Sequence, residues 1–370
     1  MKTIRLLAIG ITLCFFTTGC DKPAVDPGPK TPVADQAKTT PTQKPSDAPK
    51  AASAGVAPFA FPGAWEKDVN DGLTKLMFDY SFGGSKFVKG QPAPVVVVDF
   101  DNTLIKGDIG RAFFDFMVTE GKIQFTDKVV EALPEDKRAE AKAAWDTLQK
   151  LQADKRADSR EARAFRKVMH KIYWSLCRDA DAEKCYPWQV RFYAGYSPDE
   201  LKTMAAQVME TELKQKMGSE QIRVDDKDQA PGITSRGIRI YEEMKDLLFH
   251  LDQRGFEIWV VSAGPQWVVE GAVTKHFAVK PGRVIGMRTK LADGKLTTEI
   301  EAPPTFRMGK VEAIDKRIGR KPLLAIGDSW SDADMLGNAT HALLVDRGYL
   351  DLKKKAVESK WWIQPAFPVR

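Results

Sequence analysis

A run of four valines, Val95 to Val98, constrains the fold of this chain more than any other segment. A short β-branched run of this kind, after a proline, is typical of a strand buried on both faces of a parallel sheet. It leads into Asp99 and Asp101, which point the same way if the backbone stays extended. Two carboxylates this close repel each other unless a cation or a shared proton holds them. Because open α/β sheets bind ligands at the carboxyl ends of their strands, the pair predicts a metal site there. The alternative is a simple turn or helix cap.

The first twenty residues have the features of an export signal. Lys2 and Arg5 precede an apolar stretch, 6–16, that is too short to span a bilayer. The segment ends in Thr-Thr-Gly-Cys, which resembles a bacterial lipobox and makes Cys20 a candidate for lipidation. Simple signal cleavage is the alternative. Lipidation predicts an exported lipoprotein, anchored to a bacterial membrane and facing the periplasm or the cell exterior.

Residues 21–58 have the composition of a tether. They contain eight prolines, eight alanines and five lysines, with three valines as the only larger apolar residues. Such a segment cannot bury enough apolar surface to fold, so we expect a disordered linker between the signal and the folded part.

The formal net charge of +6 is spread along the chain and is not gathered in one patch. No helix-turn-helix, zinc-finger or RNA-binding signature accompanies it, so the sequence predicts no nucleic-acid partner.

Two cysteines, Cys177 and Cys185, remain outside the signal. In an exported protein such a pair predicts a disulfide bond. A metal pair is the alternative, but no histidine cluster stands nearby to complete a site.

The alternation of helix and strand signals predicts an α/β fold with a doubly wound parallel sheet. Helical signals fill residues 105–236, so we expect a mostly helical cap inserted between two parts of a core, 59–104 and 237–370. The predicted strands after the first are 256–261, 323–326 and 342–345, the predicted hairpin is 284–300 with its turn at 293–294, and the predicted core helices are 64–82, 238–251 and 311–318.

Polar side chains follow two further predicted strands. Ser262 ends the second strand, and Asp328 and Asp332 follow the third. Lys310 opens a predicted helix, where its charge could meet phosphate oxygens. Each residue also has an ordinary explanation, as a helix cap or a surface lysine. Together the carboxylates favour Mg²⁺, which prefers oxygen ligands.

The four segments DFDNT, VSAG, a helix-opening GK and GDSWSD, in this order, resemble the four motifs of the haloacid dehalogenase-like superfamily. The resemblance covers about residues 64–350. It implies a Rossmann-like core with a helical C1 cap after the first strand. An acid at Asp101 implies a phosphatase, since dehalogenases lack that acid and transport ATPases carry lysine there.

The resemblance also implies a role for each matching residue. Asp99 would attack phosphorus to give an aspartyl-phosphate, and Asp101 would protonate the leaving oxygen and later activate water. The implied Mg²⁺ ligands are Asp99, the main-chain carbonyl of Asp101, and Asp328, with Asp332 in support, and the implied phosphate-binding residues are Thr103, Ser262, Ala263 and Lys310.

Two cap segments resemble the phosphorylcholine phosphatase group of the superfamily. They are Tyr173-Trp174, with Cys177 just beyond, and the Cys-Tyr-Pro-Trp segment 185–188. Their aromatic rings could form a cage for a quaternary ammonium. The alternative is that they only pack the cap around a disulfide.

One position departs from that group and bears on the substrate. Where the group has two consecutive glutamates, this chain has Gly110 and Arg111. A cation there repels a cationic substrate and favours a carboxylate or a second phosphate, as in the similar phosphoserine phosphatase group. We therefore expect a small phosphorylated metabolite as substrate. The alternatives are a broad acid phosphatase acting on nucleotides and a non-catalytic binding lipoprotein tethered to the envelope.

Overall fold

The computed structural model describes residues 59–177 and 182–369, in which a run of successive helices among residues 109–214 stands between regions that contain both strands and helices. The helices are α1 (Lys67–Tyr80), α2 (Ile109–Thr119), α3 (Asp127–Glu131), α4 (Glu135–Gln149), α5 (Arg160–Leu176), α6 (Ala182–Arg191), α7 (Pro198–Lys214), α8 (Glu242–Gln253), α9 (Gln266–Val273), α10 (Met308–Arg317), α11 (Ala333–Asn338) and α12 (Leu350–Glu358). The strands are β1 (Val95–Val98), β2 (Ile105–Lys106), β3 (Gly218–Ile222), β4 (Gly232–Arg236), β5 (Arg239–Ile240), β6 (Glu257–Pro265), β7 (Val284–Met287), β8 (Thr289–Ala292), β9 (Lys295–Ile300), β10 (Leu324–Gly327), β11 (His341–Asp346) and β12 (Trp362–Pro365). In this part of the chain no helix is long and apolar enough to cross a membrane. The predicted signal, the tether and Cys20 lie outside it.

Six parallel strands form the central sheet, in the order β12-β11-β10-β1-β6-β7. This confirms the predicted α/β fold with a doubly wound parallel sheet. β1 lies near the middle because its valines are buried on both faces: Val96 and Val98 pack in one hydrophobic cluster, and Val95 and Val97 pack in the other.

The structure of residues 284–300 differs from the prediction that the whole segment forms one hairpin. Its first four residues form β7, which joins the parallel sheet at an edge, and only β8 and β9 form the hairpin. The turn between them is at Asp293 and Gly294, as predicted, and both residues have the positive φ that a type I′ turn requires. Four consecutive buried residues, Val284 to Met287, explain why β7 enters the sheet.

Residues 105–236, predicted as a cap, lie between the two short strands of an antiparallel ribbon. Ile105 pairs with Ile240 and Lys106 pairs with Arg239, so the chain leaves the core and returns to it at one place. α2 to α7 lie between these strands, together with a β3–β4 hairpin that the sequence did not predict. Cys177 and Cys185 form the predicted disulfide bond, which joins the end of α5 to α6.

The cap contacts the core at several places besides the ribbon. α7, which begins at a Ser197–Glu200 capping box, packs closely on α9. The hairpin reaches the cap as well: the Gly195 N–H donates to the Leu296 carbonyl at 2.8 Å, and the Leu296 N–H donates to the Tyr196 carbonyl at 2.8 Å.

Gly271 on α9 allows the close approach of α7. A Cβ atom at this position would lie 2.3 Å from the Lys202 carbonyl oxygen, which belongs to the backbone and has little room to move. We therefore expect Gly271→Ala to lower the free energy of unfolding by about 1–3 kcal/mol, as overpacking does. Urea denaturation followed by tryptophan fluorescence would measure it.

A matched control is Gly337→Ala in α11, where the nearest atom to a new Cβ would lie 4.0 Å away. This variant should be neutral or more stable by up to about 1 kcal/mol, because alanine favours a helix. Equal stability of the two variants would contradict the role of Gly271.

Candidate active site

The parallel register aligns the carboxyl ends of β1, β6 and β10 at one edge of the sheet. Val98 pairs with Val260 of β6 and with Ile326 of β10, so the one or two residues that follow each of these lie at the same edge of the sheet. The Asp99 N–H continues this ladder by donating to the Ile326 carbonyl at 2.9 Å. Asp99, Ser262 and Asp328 are therefore neighbours in space although they are far apart in sequence.

The Lys310 ammonium joins these strand ends. It is fully buried in the first turn of α10 and donates to Asp99 Oδ1 at 2.8 Å, to the Val261 carbonyl at 2.8 Å and to Asp332 Oδ1 at 2.6 Å. Burial alone would lower the pKa of this lysine, but the carboxylates of Asp332 and Asp99 outweigh burial and raise the pKa. The side chain therefore stays charged and neutralises part of the acidic cluster.

Asp328 and Asp332 are both buried and held by several donors. The Thr103 hydroxyl donates to Asp328 Oδ1 at 2.9 Å, and Arg347 Nη1 donates to Asp328 Oδ2 at 2.8 Å. Asp332 Oδ2 accepts from the N–H groups of Asp328 at 3.2 Å and Ser329 at 3.0 Å. Burial, and secondarily the Asp332 charge, raise the pKa of Asp328 to about 6.

Three of the predicted metal ligands, Asp99, Asp328 and Asp332, present carboxylate oxygens within 4.8 Å of one another. An all-oxygen donor set suits Mg²⁺. With Asp101 the cluster has four carboxylates against the two cations Lys310 and Arg347, so when ionised it carries two uncompensated negative charges. A divalent cation would balance them, and the residues present therefore fit a metal of this kind.

Asp101 lies beside this group but directs its side chain toward the cap. Its Oδ1 accepts the N–H of Ile109, in the first turn of α2, at 2.7 Å. Burial first, and then the Asp108 and Asp99 carboxylates, raise the pKa of Asp101 well above its ordinary value. A raised pKa favours the protonated form of the carboxyl group, which can donate a proton as a general acid does.

Ser262 and Ala263 lie where β6 ends. The Ser262 hydroxyl accepts the Gly264 N–H at 3.0 Å. A Cβ at Gly264 would lie 3.3 Å from that hydroxyl and 3.6 Å from Asp101 Oδ2, so both side chains border the same small space. Ala263, which lies between Ser262 and Gly264 in the chain, is buried. The Thr103 hydroxyl donates to Asp328, and its role in binding phosphate stays a prediction.

The three predicted specificity residues lie together in the cap. Tyr173 is buried with its ring stacked on Phe114 at 5.0 Å, which is the packing role weighed as an alternative to an aromatic cage. The Trp174 indole N–H donates to the Ile233 carbonyl at 2.7 Å. The Arg111 guanidinium lies 6.0 Å from the Trp174 ring centre, at the edge of cation–π range.

Tyr186 belongs to the Cys-Tyr-Pro-Trp segment whose rings the sequence offered for an aromatic cage. It follows Cys185 on α6, and its ring lies 5.7 Å from that of Phe306 in the loop before α10. Burial raises the pKa of Tyr186, and the Asp108, Asp99 and Asp101 carboxylates add to this, so the hydroxyl is near the acidic cluster.

Arg347 is a site residue that the sequence did not predict. It follows Asp346, the last residue of β11, at the same edge of the sheet. Its sequence position could have indicated this role. It is a charged residue at the end of a strand, and three other strand ends carry predicted site residues.

The family model described as haloacid dehalogenase-like hydrolase matches residues 96–337. Among curated proteins, the phosphorylcholine phosphatase of Pseudomonas aeruginosa is 26% identical over 201 residues, which cover 45% of this chain and 55% of the relative. The match thus spans about half the length of that relative.

Among solved structures, a functionally unknown protein from Anaerococcus prevotii has a TM-score of 0.69 at 21% identity and covers 83% of this chain and 94% of its own. A protein of unknown function from Bordetella pertussis has a TM-score of 0.47 at 18% identity, covering 75% of this chain and 100% of its own. The first supports the fold alone.

The buried Asp328 carboxylate predicts a pH dependence of stability. Its pKa is about 6 in the folded protein and ordinarily 3.8, so as the pH rises the unfolded chain loses this proton first. Between about pH 4 and 6 this residue therefore lowers the free energy of unfolding, by up to about 3 kcal/mol. In chelator-treated protein we expect the free energy of unfolding to fall over this range in wild type, and to fall less in Asp328→Asn.

Urea denaturation at pH 4, 5, 6 and 7 would measure the slope. Asp351→Asn, an exposed position on α12, is the control and should keep the wild-type slope. A slope in Asp328→Asn equal to that of wild type would show that this carboxylate is not the source.

Proposed function

Because the family model matches more than half of the chain, the chain belongs to the haloacid dehalogenase-like hydrolase family, and from this premise we propose that it is a Mg²⁺-dependent phosphomonoesterase. The observation that carries the proposal is the convergence of Asp99, Asp101, Lys310 and Asp328 at one edge of the sheet. A nucleophile, an acid, a fixed cation and metal ligands are the groups that phosphoryl transfer needs.

In the proposed reaction, the Asp99 carboxylate attacks phosphorus and forms an aspartyl-phosphate as the ester P–O bond breaks. The leaving oxygen takes its proton from Asp101, which is then ionised and accepts a proton from the water that hydrolyses the intermediate. Lys310 holds the nucleophile through Asp99 Oδ1, so the second oxygen is the one that reacts. Mg²⁺ bound by Asp99, Asp328 and Asp332 would supply positive charge toward the phosphoryl oxygens.

Two cap residues support a small organic phosphate as the substrate. Tyr186 lies with its ring 5.7 Å from that of Phe306 of the core, and Arg111 places a positive charge on the cap side. A cation at that wall favours a substrate with a second negative group, such as phosphoserine. The likeness to a phosphorylcholine phosphatase makes phosphorylcholine the second candidate, and nucleotides are the third.

A panel of phosphomonoesters tests this function. Release of inorganic phosphate from phosphoserine, phosphorylcholine and nucleoside monophosphates would be measured with Mg²⁺ and with chelator. We expect turnover of at least one small phosphomonoester, dependent on Mg²⁺. Absence of turnover throughout the panel would contradict the proposal and favour a non-catalytic binding protein.

Asp99→Asn tests the nucleophile. An amide is a poor nucleophile, so turnover should fall by at least about three orders of magnitude while circular dichroism stays unchanged. Asp351→Asn should retain full activity. In wild type quenched in acid during turnover, mass spectrometry should find a phosphate adduct on the peptide that contains Asp99, and undiminished activity of Asp99→Asn would refute the assignment.

We also propose that the protein acts outside the cytoplasm as a lipoprotein anchored through Cys20. The support is the signal-like sequence of residues 1–20 and the composition of the predicted tether. In a bacterial host, Cys20→Ala should abolish incorporation of labelled fatty acid and move the exported protein from the membrane to the soluble fraction. Equal labelling of this variant would contradict the anchor.

A further inference from the structure

A surface rich in aromatic and basic residues lies at the amino-terminal ends of the central strands, on the edge of the sheet opposite the carboxylates. It surrounds a cavity of about 680 Å³ formed by the loop 80–95 and by residues that precede β6, β10 and β11. We call it the loop surface. None of the groups assigned to phosphoester hydrolysis lies there.

The loop surface exposes large apolar side chains to water. The exposed fractions are 85% for Phe82, 58% for Val88 and 37% for Phe87. The rings of Phe82 and Phe87 contact each other edge to face at 5.2 Å. A contiguous apolar patch of this kind on a folded protein marks an interaction site.

Cations surround these apolar side chains and outnumber the acids. Lys86, Lys89, Arg254, Arg320 and Lys321 lie on or beside the cavity, and the acids near it are Asp79 and Glu257. Both acids are already bonded, Asp79 to Lys75 at 2.9 Å and Glu257 to Arg320 at 2.6 Å.

Three of these cations have no acidic partner among the described residues. They are Lys89, Lys321 and Arg254, and the Arg254 guanidinium lies over the Phe78 ring at 4.3 Å. The loop surface therefore carries a net positive charge that the described residues leave uncompensated.

We propose that the loop surface binds an anionic phospholipid bilayer. Aromatic side chains insert at the level of the headgroups, and nearby lysines and arginines attract the lipid phosphates. The loop surface combines apolar side chains and lysines in one loop, where Phe82, Phe87 and Val88 alternate with Lys86 and Lys89.

The start of the described chain supports this occupant. The Phe59 ring lies 6.0 Å from Phe78, which underlies Arg254, so the first described residue lies beside the loop surface. Strand β1 spans roughly 13 Å between this edge and Asp99. A bilayer bound here would leave the opposite edge of the sheet, with the carboxylates, facing water.

Vesicle co-sedimentation of the full chain tests the proposal. The vesicles are phosphatidylcholine alone, and phosphatidylcholine with one third phosphatidylglycerol. We expect binding to the anionic vesicles that weakens as salt is raised. Phe82→Ser/Val88→Ser and Lys86→Glu/Lys89→Glu should each weaken that binding by about tenfold or more. Every variant carries the same residues 1–58, so differences between variants report the loop surface alone.

The control is Leu291→Ser/Leu350→Ser, which removes exposed apolar side chains from β8 and α12 and should bind as wild type does. Circular dichroism and phosphate release from a soluble substrate should be unchanged in all variants. The proposal is overturned if both loop variants bind anionic vesicles as wild type does. It is also overturned if Phe82→Ser/Val88→Ser changes only the sedimentation of the lipid-free protein, which would identify a second copy of the chain as the occupant.

Discussion

The buried ammonium of Lys310 is the interaction on which the site depends. Its three acceptors come from three different segments: Asp99 follows β1, Val261 belongs to β6, and Asp332 precedes α11. Without this cation, Asp99 and Asp332 would be two desolvated carboxylates with no counter-charge in contact, an arrangement that a folded protein cannot hold in ionised form. One side chain thus serves the fold and the proposed chemistry together.

The strand-end motifs could be predicted because they depend on local patterns. Val95 to Val98 predict a buried strand, and parallel register then brings Asp99, Ser262 and Asp328 together without further information. The predicted disulfide followed in the same way from the predicted export of two cysteines.

The rest of the site depends on tertiary contacts that have no sequence pattern. Arg347 reaches Asp328 only because β11 lies beside β10, and the position of Tyr186 depends on the contact of α6 with β6. The β3–β4 hairpin was missed because its strands are mostly polar, with one buried residue each, and lack the alternation that marks a half-buried strand. The hydroxyl of Thr103 shows the same limit: the sequence placed it at the site, and only the structure shows that it bonds Asp328.

The two hydrogen bonds between the hairpin and residues 195–196 restrict how the cap can open. A cap joined to the core by the β2–β5 ribbon alone could swivel in any direction about that ribbon. The hairpin adds a second attachment, and its base is closed where the Glu301 N–H donates to the Arg288 carbonyl at 2.9 Å. The packing of α7 on α9 is a third attachment, so a cap that rotates as one body must carry the hairpin with it or break one of these contacts.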